Sequence, residues 1–168
     1  YLEELGEQLP AEIGLFWTGE KICSPGYTLE HLRSVGARLK RKPFLWDNYP
    51  VNDTPSLQDQ LHLRAFRNRP SELAEWTSAH GVNPMNFAFL SRLPLWTLAR
   101  SYHLGSHYNP DTALQEAAMS LCGPELGQEI LKALPLLQDR GRKALSIEEK
   151  NHLMARFHMS THRATTEL

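Results

Sequence analysis

The sequence is poor in cysteine, in long apolar runs and in any excess of charge of one sign. Cys23 and Cys122 are its only cysteines, so one disulfide is the most it can form and a disulfide-stapled scaffold is excluded. Neither has a second cysteine at metal-ligand spacing; both read as free thiols, in keeping with a reducing compartment such as the cytoplasm. No apolar stretch approaches the roughly 20 residues that span a bilayer. The opening Tyr1-Leu2-Glu3-Glu4-Leu5-Gly6-Glu7 has neither the basic segment nor the continuous apolar segment of a signal peptide. The chain begins without Met and is expected to be an excerpt from a longer protein.

Lys and Arg total 18 against 19 Asp and Glu, a net charge of -1. This near balance offers no general attraction to nucleic acid or to an anionic membrane. The local exception, Arg38-Leu39-Lys40-Arg41-Lys42, directly precedes an apolar run and is expected to be the solvated end of a helix. Several catalytic signatures are missing as well. The chain has no glycine-rich phosphate loop, no Gly-x-Ser-x-Gly elbow and no His-Glu-x-x-His pair. His103 and His107 are four apart, but Gly105 and Tyr108-Asn109-Pro110 end the helix there. His158 and His162 share that spacing in a polar tail, so no metal site is expected.

What remains is length enough, at 168 residues, for one domain with its own core. Ile13-Gly14-Leu15-Phe16-Trp17 is apolar and rich in strand formers, and it runs into the turn residues Thr18-Gly19 and Ser24-Pro25-Gly26. Leu29, Leu32, Val35 and Leu39 then fall at helical spacing behind a Thr28 cap. Pro43-Phe44-Leu45-Trp46 is a second buried-strand candidate, followed by a polar, proline-punctuated loop. A helix is expected from Ser71 to Ala79, a third strand end at Gly81-Val82-Asn83-Pro84-Met85, and a helix from Phe87 to Tyr102 with Pro94 near a boundary. Alternating strands and helices predict an α/β fold with parallel strands, though three units are too few to close a barrel. Beyond Pro110 only helices are expected, at 112–121, 124–137 and 147–157. The division is therefore residues 1–108, a helical extension over 109–159, and a polar, flexible tail over 160–168.

The segment Trp46-Asp47-Asn48-Tyr49-Pro50-Val51-Asn52-Asp53 carries the most chemistry. An aromatic face can stack on the apolar face of a sugar, while Asn and Asp divide the donor and acceptor work at its hydroxyls. Its place after a parallel strand matters, because sites in such folds sit at strand C-terminal ends. The same residues also suit a proline-rich loop that uses Asn and Asp only for turns. Asn83, in Asn83-Pro84-Met85-Asn86, either points its amide into a pocket or organises the next turn. Trp17-Thr18-Gly19 is either a pocket wall or a buried aromatic at a strand end.

Leu15-Phe16-Trp17-Thr18-Gly19, Trp46 to Asp53, and Gly81 to Met85 occur in an order and spacing that resemble the family 84 glycoside hydrolases. These are β-N-acetylglucosaminidases and include the protein O-GlcNAcases and bacterial relatives. The resemblance covers residues 12 to 108 closely and the helical region loosely. It implies the C-terminal portion of a TIM (β/α)8 barrel followed by an all-helical extension. It also implies substrate-assisted retaining hydrolysis of terminal β-linked GlcNAc through an oxazoline, an exception to the enzyme-nucleophile route. Two adjacent aspartates carry that chemistry in the family, on an earlier strand. This chain has no Asp-Asp pair, so no catalytic residue is expected within it and the pair should lie upstream.

The resemblance assigns Asp53 to the outer sugar hydroxyls O4 and O6, Asn48 to the acetamido region, Asn83 to another hydroxyl and Trp46 to a wall of the N-acetyl pocket. Trp17 and Tyr49 become supporting residues. Many relatives carry a Leu-Gly-Pro-Tyr-like stretch before an arginine, where this chain reads Leu63-Arg64-Ala65-Phe66-Arg67-Asn68-Arg69; Arg69 keeps the final position. The implied partners are a GlcNAc-containing glycan or an O-GlcNAc-modified protein and the remainder of the barrel, with no nucleic acid, membrane, metal or organic cofactor. A noncatalytic GlcNAc-binding module, or a structural or interaction domain built on such a hydrolase, is the alternative.

Overall fold

Strands β1 (Phe16–Trp17), β2 (Phe44–Asp47) and β3 (Ala79–Val82) lie side by side in that order, all parallel, in a computed structural model that describes residues 1–158 and 160–168. Helices α2 (Leu29–Leu39), α3 (Leu73–Trp76) and α4 (Arg92–Leu104) follow them in turn. The register sets Phe16 beside Phe44, Phe44 beside Ala79, and Trp46 beside Gly81.

Side chains alternate across a strand, so β2 sends Leu45 and Asp47 toward the helices and Phe44 and Trp46 to the other face. Leu45 packs with Tyr27, Leu32 and Leu73 on the helix side. Leu32, Leu45 and Leu73 are fully buried, which stabilises the fold by roughly 1.5–3 kcal/mol for each side chain. The opposite face is open and aromatic. Phe16 and Trp46 are 63% and 40% exposed, and the Phe16 ring meets Phe44 and Trp46 edge-on at 4.8 and 5.3 Å. Gly81 lies beneath Phe44 so closely that a Cβ there would sit 2.8 Å from the ring.

Several elements differ from the sequence expectation for local reasons. β1 is only two residues long, Phe16 and Trp17 pairing with Phe44 and Leu45, and Leu15 adds only its carbonyl, which accepts from Phe44 N–H at 2.8 Å. The expected helix from Ser71 to Ala79 contracts to α3, since Ser78 N–H donates to the Pro43 carbonyl and Ala79 joins the sheet. α4 starts at Arg92 rather than Phe87, which places Pro94 in its first turn where no N–H is needed.

Helix α1 (Leu2–Gln8) was not announced by the pattern. It docks on the basic end of α2, where Glu3 pairs with Arg38 at 2.9 Å and Glu7 with Lys40 at 2.8 Å. Arg41 draws the connection in by donating to the carbonyls of Gly6, Leu9, Pro10 and Ile13. The run Arg38 to Lys42 is thus a helix end, closed by Lys40 in the left-handed conformation at φ 53°, and it is also a docking point.

After residue 109 the described chain is helical: α5 (Pro110–Cys122), α6 (Pro124–Leu134) and α7 (Ile147–His158). Asn109 caps α5 by accepting from the N–H groups of Asp111 and Thr112, with Pro110 at the first helical position. α6 runs into a wider π-helical turn at Pro135–Arg140. One apolar cluster extends from Leu61, Met85 and Leu93 through Ala117 and Ile130 to Phe157 and Ala164, so these helices share a core with the preceding loop and α4. Residues 160–168, expected as a loose tail, pack back: Ala164 is fully buried, and the Glu167 carboxylate accepts from Phe89 and Leu90 N–H at 3.0 and 2.9 Å.

Candidate functional site

The C-terminal ends of β2 and β3 bring three of the expected site residues into direct contact. The Trp46 indole N–H donates to Asn48 Oδ1 at 3.0 Å, and Asn83 Nδ2 donates to the same oxygen at 3.1 Å. Asn48 Nδ2 in turn donates to the Ile22 carbonyl at 2.8 Å. These partners fix the Asn48 amide without ambiguity, because an indole can only donate and a carbonyl can only accept. Asn83 is placed by its own backbone N–H, which donates to the Asp47 carbonyl at 2.9 Å as the ladder ends.

Asp53 stands apart from that network. It is exposed, five residues beyond Asn48, and forms no side-chain hydrogen bond or ion pair among the described residues. Its neighbour Asn52 is buried and donates to the Gln60 carbonyl at 3.1 Å. Tyr49 turns the other way: its hydroxyl donates to the Arg64 carbonyl at 2.7 Å, and its ring stacks on His62 and meets Phe66 edge-on. Burial pushes the Tyr49 phenol up to about 12. Trp17 lies on the helix side of the sheet, donating to His31 Nε2 at 3.1 Å, so it supports the strand and does not share a face with Trp46.

Residues 48–72 link β2 to α3 without regular structure, a length at which loops are usually functional or mobile. Here the loop is tethered along its length. Gln138 Oε1 accepts from both Leu63 and Arg64 N–H at 2.8 Å, and Arg64 pairs with Asp139. Phe66 N–H donates to Thr97 on α4, while its carbonyl accepts from the Tyr108 hydroxyl. His62 is held between the Pro50 and Val51 carbonyls and Gln60, and burial holds its imidazole below the usual range. Just before Arg69, Asn68 takes the left-handed conformation at φ 57°, which asparagine tolerates.

Sequence reasoning gave Asp47 no role of its own, yet it is fully buried directly behind Asn48. Arg69 grips it with both edges of its fork, Nε to Oδ2 at 2.8 Å and Nη2 to Oδ1 at 2.7 Å. His80 Nε2 lies 3.2 Å from Oδ2, and the Tyr102 hydroxyl is 2.7 Å from His80 Nδ1. Burial alone would raise the Asp47 carboxyl; the hydrogen bonds from His80 and Arg69 and the Arg69 charge outweigh it and hold it below the usual carboxylate range. The available signal was alternation: in Phe44-Leu45-Trp46-Asp47 an exposed Trp46 forces Asp47 to the buried face, where a charge needs a partner.

The arrangement leaves specific groups free for a ligand. Asn48 keeps a second amide N–H, and Asn83 keeps its oxygen and one N–H. Beside them stands the Trp46 ring, 40% exposed, and the loop that follows carries the exposed Asp53 carboxylate. Donors, acceptors and an aromatic face together match a polyhydroxylated ligand with an amide substituent. No group of His, Cys, Asp and Glu suited to a metal occurs among the described residues. A cavity of about 690 Å³ between α7 and residues 160–168 shares no residue with this cluster.

Known proteins resemble this chain in sequence and in fold. A family model described as beta-N-acetylglucosaminidase matches residues 1–137. The protein O-GlcNAcases of Rattus norvegicus and Mus musculus are each 32% identical over 101 residues, which is 57% of this chain and 11% of theirs. A mutant of Thermobaculum terrenum O-GlcNAc hydrolase superposes with a TM-score of 0.78 at 32% identity, over 95% of this chain and 34% of that one. The chain thus spans about a tenth of the curated relatives and a third of the bacterial structure. The parallel strands with flanking helices, followed by an all-helical stretch, match a partial TIM barrel and its helical extension.

Proposed function

The chain belongs to the family 84 glycoside hydrolases, the β-N-acetylglucosaminidases, and from that premise we propose that it supplies the sugar-binding wall of a retaining enzyme that removes terminal β-linked GlcNAc. The observation that carries this is the Trp46–Asn48–Asn83 network at the strand ends, with the unpaired Asp53 carboxylate on the adjoining loop.

In this reading the spare Asn48 N–H donates to the acetamido oxygen of the sugar, which Trp46 flanks. Asn83 holds a ring hydroxyl. Asp53 accepts from the outer hydroxyls O4 and O6, where charge-assisted hydrogen bonds are stronger than neutral ones. Trp17 and Tyr49 support the sheet and the loop from behind. The reaction itself is substrate-assisted. The acetamido oxygen attacks the anomeric carbon to give an oxazoline, the leaving oxygen takes a proton from a carboxylic acid, and water then opens the ring with that carboxylate as base. Both carboxylates belong to the part of the protein upstream of this chain. Holding the acetamido oxygen in one orientation brings nucleophile and electrophile into near-attack geometry, which lowers the entropic part of the barrier.

The open aromatic face formed by Phe16, Phe44 and Trp46 fits this division, since barrel strands bury such a face against the remaining strands. The substrate class is a GlcNAc-terminated glycan or O-GlcNAc on Ser or Thr of a protein.

Release of 4-methylumbelliferone from its β-N-acetylglucosaminide, compared between this chain and the full-length protein that carries it, tests the proposal. Activity confined to the full-length protein is expected. Activity in the isolated chain would place catalytic groups here, and none in either would favour a noncatalytic GlcNAc-binding module or a structural domain.

A further inference from the structure

Next in the chain to Asn48, Asp47 lies in a buried charged cluster with Arg69 and His80. Arg69 stands at its centre, its side chain 5% exposed, between the rings of Tyr27 and Phe66. A guanidinium has five N–H donors in a fixed plane, and here all five are used. Two go to Asp47; the others reach the carbonyls of Pro25 at 2.7 Å, Arg67 at 2.8 Å and Ser24 at 3.1 Å.

Ser24 also closes the turn before it, accepting from Lys21 N–H at 3.1 Å and donating to the Lys21 carbonyl at 3.0 Å. Ile22 lies inside that closed turn, and its carbonyl takes the Asn48 amide N–H. A continuous path therefore runs from Asp47 through Arg69, the Ser24–Pro25 backbone and the Ile22 carbonyl to Asn48. It returns to the residue next to its origin, because Asp47 and Asn48 are adjacent in the chain.

We propose that Arg69 is a positioning residue for the sugar site: anchored on Asp47, it sets the 21–25 turn and through it the orientation of the Asn48 amide. The inference rests on the reading of Asn48 as the acetamido-binding residue. Its chemistry explains why an arginine stands at this position. Lysine carries the charge that Asp47 needs, but a single ammonium cannot hold a carboxylate edge and three backbone carbonyls in one plane. His80 completes the anchor from the other side. With its hydrogen on Nε2 it donates to Asp47 and accepts from Tyr102, so the carboxylate has no freedom to follow a displaced partner.

The test is a double-mutant cycle in the full-length protein, with Arg69→Lys and Asn48→Ala read as kcat and KM on the 4-methylumbelliferyl substrate. Arg69→Lys is expected to lower kcat/KM about tenfold, as for coupled neighbours, with the loss falling on kcat because Asn48 holds a reacting group. In the Asn48→Ala background the same change should cost less than about twofold. Equal losses in both backgrounds, or no loss from Arg69→Lys, would overturn the proposal while leaving the sugar site intact. Undiminished activity of Asn48→Ala alone would instead overturn the site reading and the inference with it. Ser24→Ala opens the turn without touching the buried charges, so it serves the same cycle if Arg69→Lys does not fold; equal losses from it in both backgrounds count against the proposal in the same way.

Discussion

Asn83 Nδ2 sits 3.1 Å from Asn48 Oδ1 and ties the end of β3 to the end of β2 across 35 residues of sequence. With the Trp46 indole on the same oxygen, the two amides form one unit. Their alanine substitutions should therefore combine to less than the sum of the separate losses in kcat/KM. A coupling on the order of 1 kcal/mol is expected, typical of residues in one hydrogen-bond network. Measuring the wild type, both single variants and the double variant of the full-length protein decides it; simple additivity would mean that the amides act independently.

The helical extension holds the long loop through Gln138, whose one oxygen serves two backbone N–H groups at 2.8 Å. Gln138→Ala strands both donors among buried neighbours, at a cost of about 1–3 kcal/mol. The denaturation midpoint should fall, and hydrogen exchange at the Leu63 and Arg64 amides should quicken. Unchanged exchange at those two positions would show that the loop does not depend on this contact.

Much of the α/β part was legible because its signals are local. The apolar blocks around Phe16, Phe44 and Val82 became parallel strands, and Thr28 capped α2 by accepting from His31 N–H, as the spacing suggested. The grouping of Trp46, Asn48 and Asn83 could be expected from motifs at successive strand ends. What stayed hidden depends on partners distant in the chain. Helix α1 holds through Glu3, Glu7 and the reach of Arg41, which no period in residues 2–8 reveals. Asp47 read as a loop residue because its meaning lies in Arg69 and His80, 22 and 33 positions away. The end of the chain read as polar, yet the single carboxylate of Glu167 and the small side chain of Ala164 dock it.

Buried phenols set an alkaline limit: burial raises Tyr27, Tyr49, Tyr102 and Tyr108 above the ordinary phenol range. Burial pushes Tyr49 and Tyr102 up to about 12, above the roughly 10 of an unfolded tyrosine. Their contribution to stability is fully present below about pH 10 and is lost as pH rises through about 12. Absorbance titration of the folded full-length protein should show the phenolates of these buried tyrosines forming late, together with unfolding. Reversible ionisation of every tyrosine near pH 10 would contradict their burial.

On the acid side, burial holds His62 below its unfolded value of 6.5. Its contribution is present above that value and is lost as pH falls through the lowered folded one. Asp47 adds a second, lower loss: its folded value lies below 3.8, so its share declines only as pH falls beneath that. His62→Gln should remove the first slope from a stability-against-pH curve and leave the second. A variant curve parallel to the wild type between pH 7 and 5 would rule out His62 as the source.

The most direct measurement of the whole account is Asp53→Ala in the full-length protein, assayed on the 4-methylumbelliferyl β-N-acetylglucosaminide beside a check of folding. Asp53 is exposed and forms no side-chain hydrogen bond or ion pair among the described residues, so the stability change should stay within about 0.5 kcal/mol. Loss of charge-assisted bonds to two sugar hydroxyls should lower kcat/KM about a hundredfold, a loss of roughly 3 kcal/mol in transition-state stabilisation. A folded Asp53→Ala protein with wild-type kcat/KM would contradict the placement of the sugar on these strand ends.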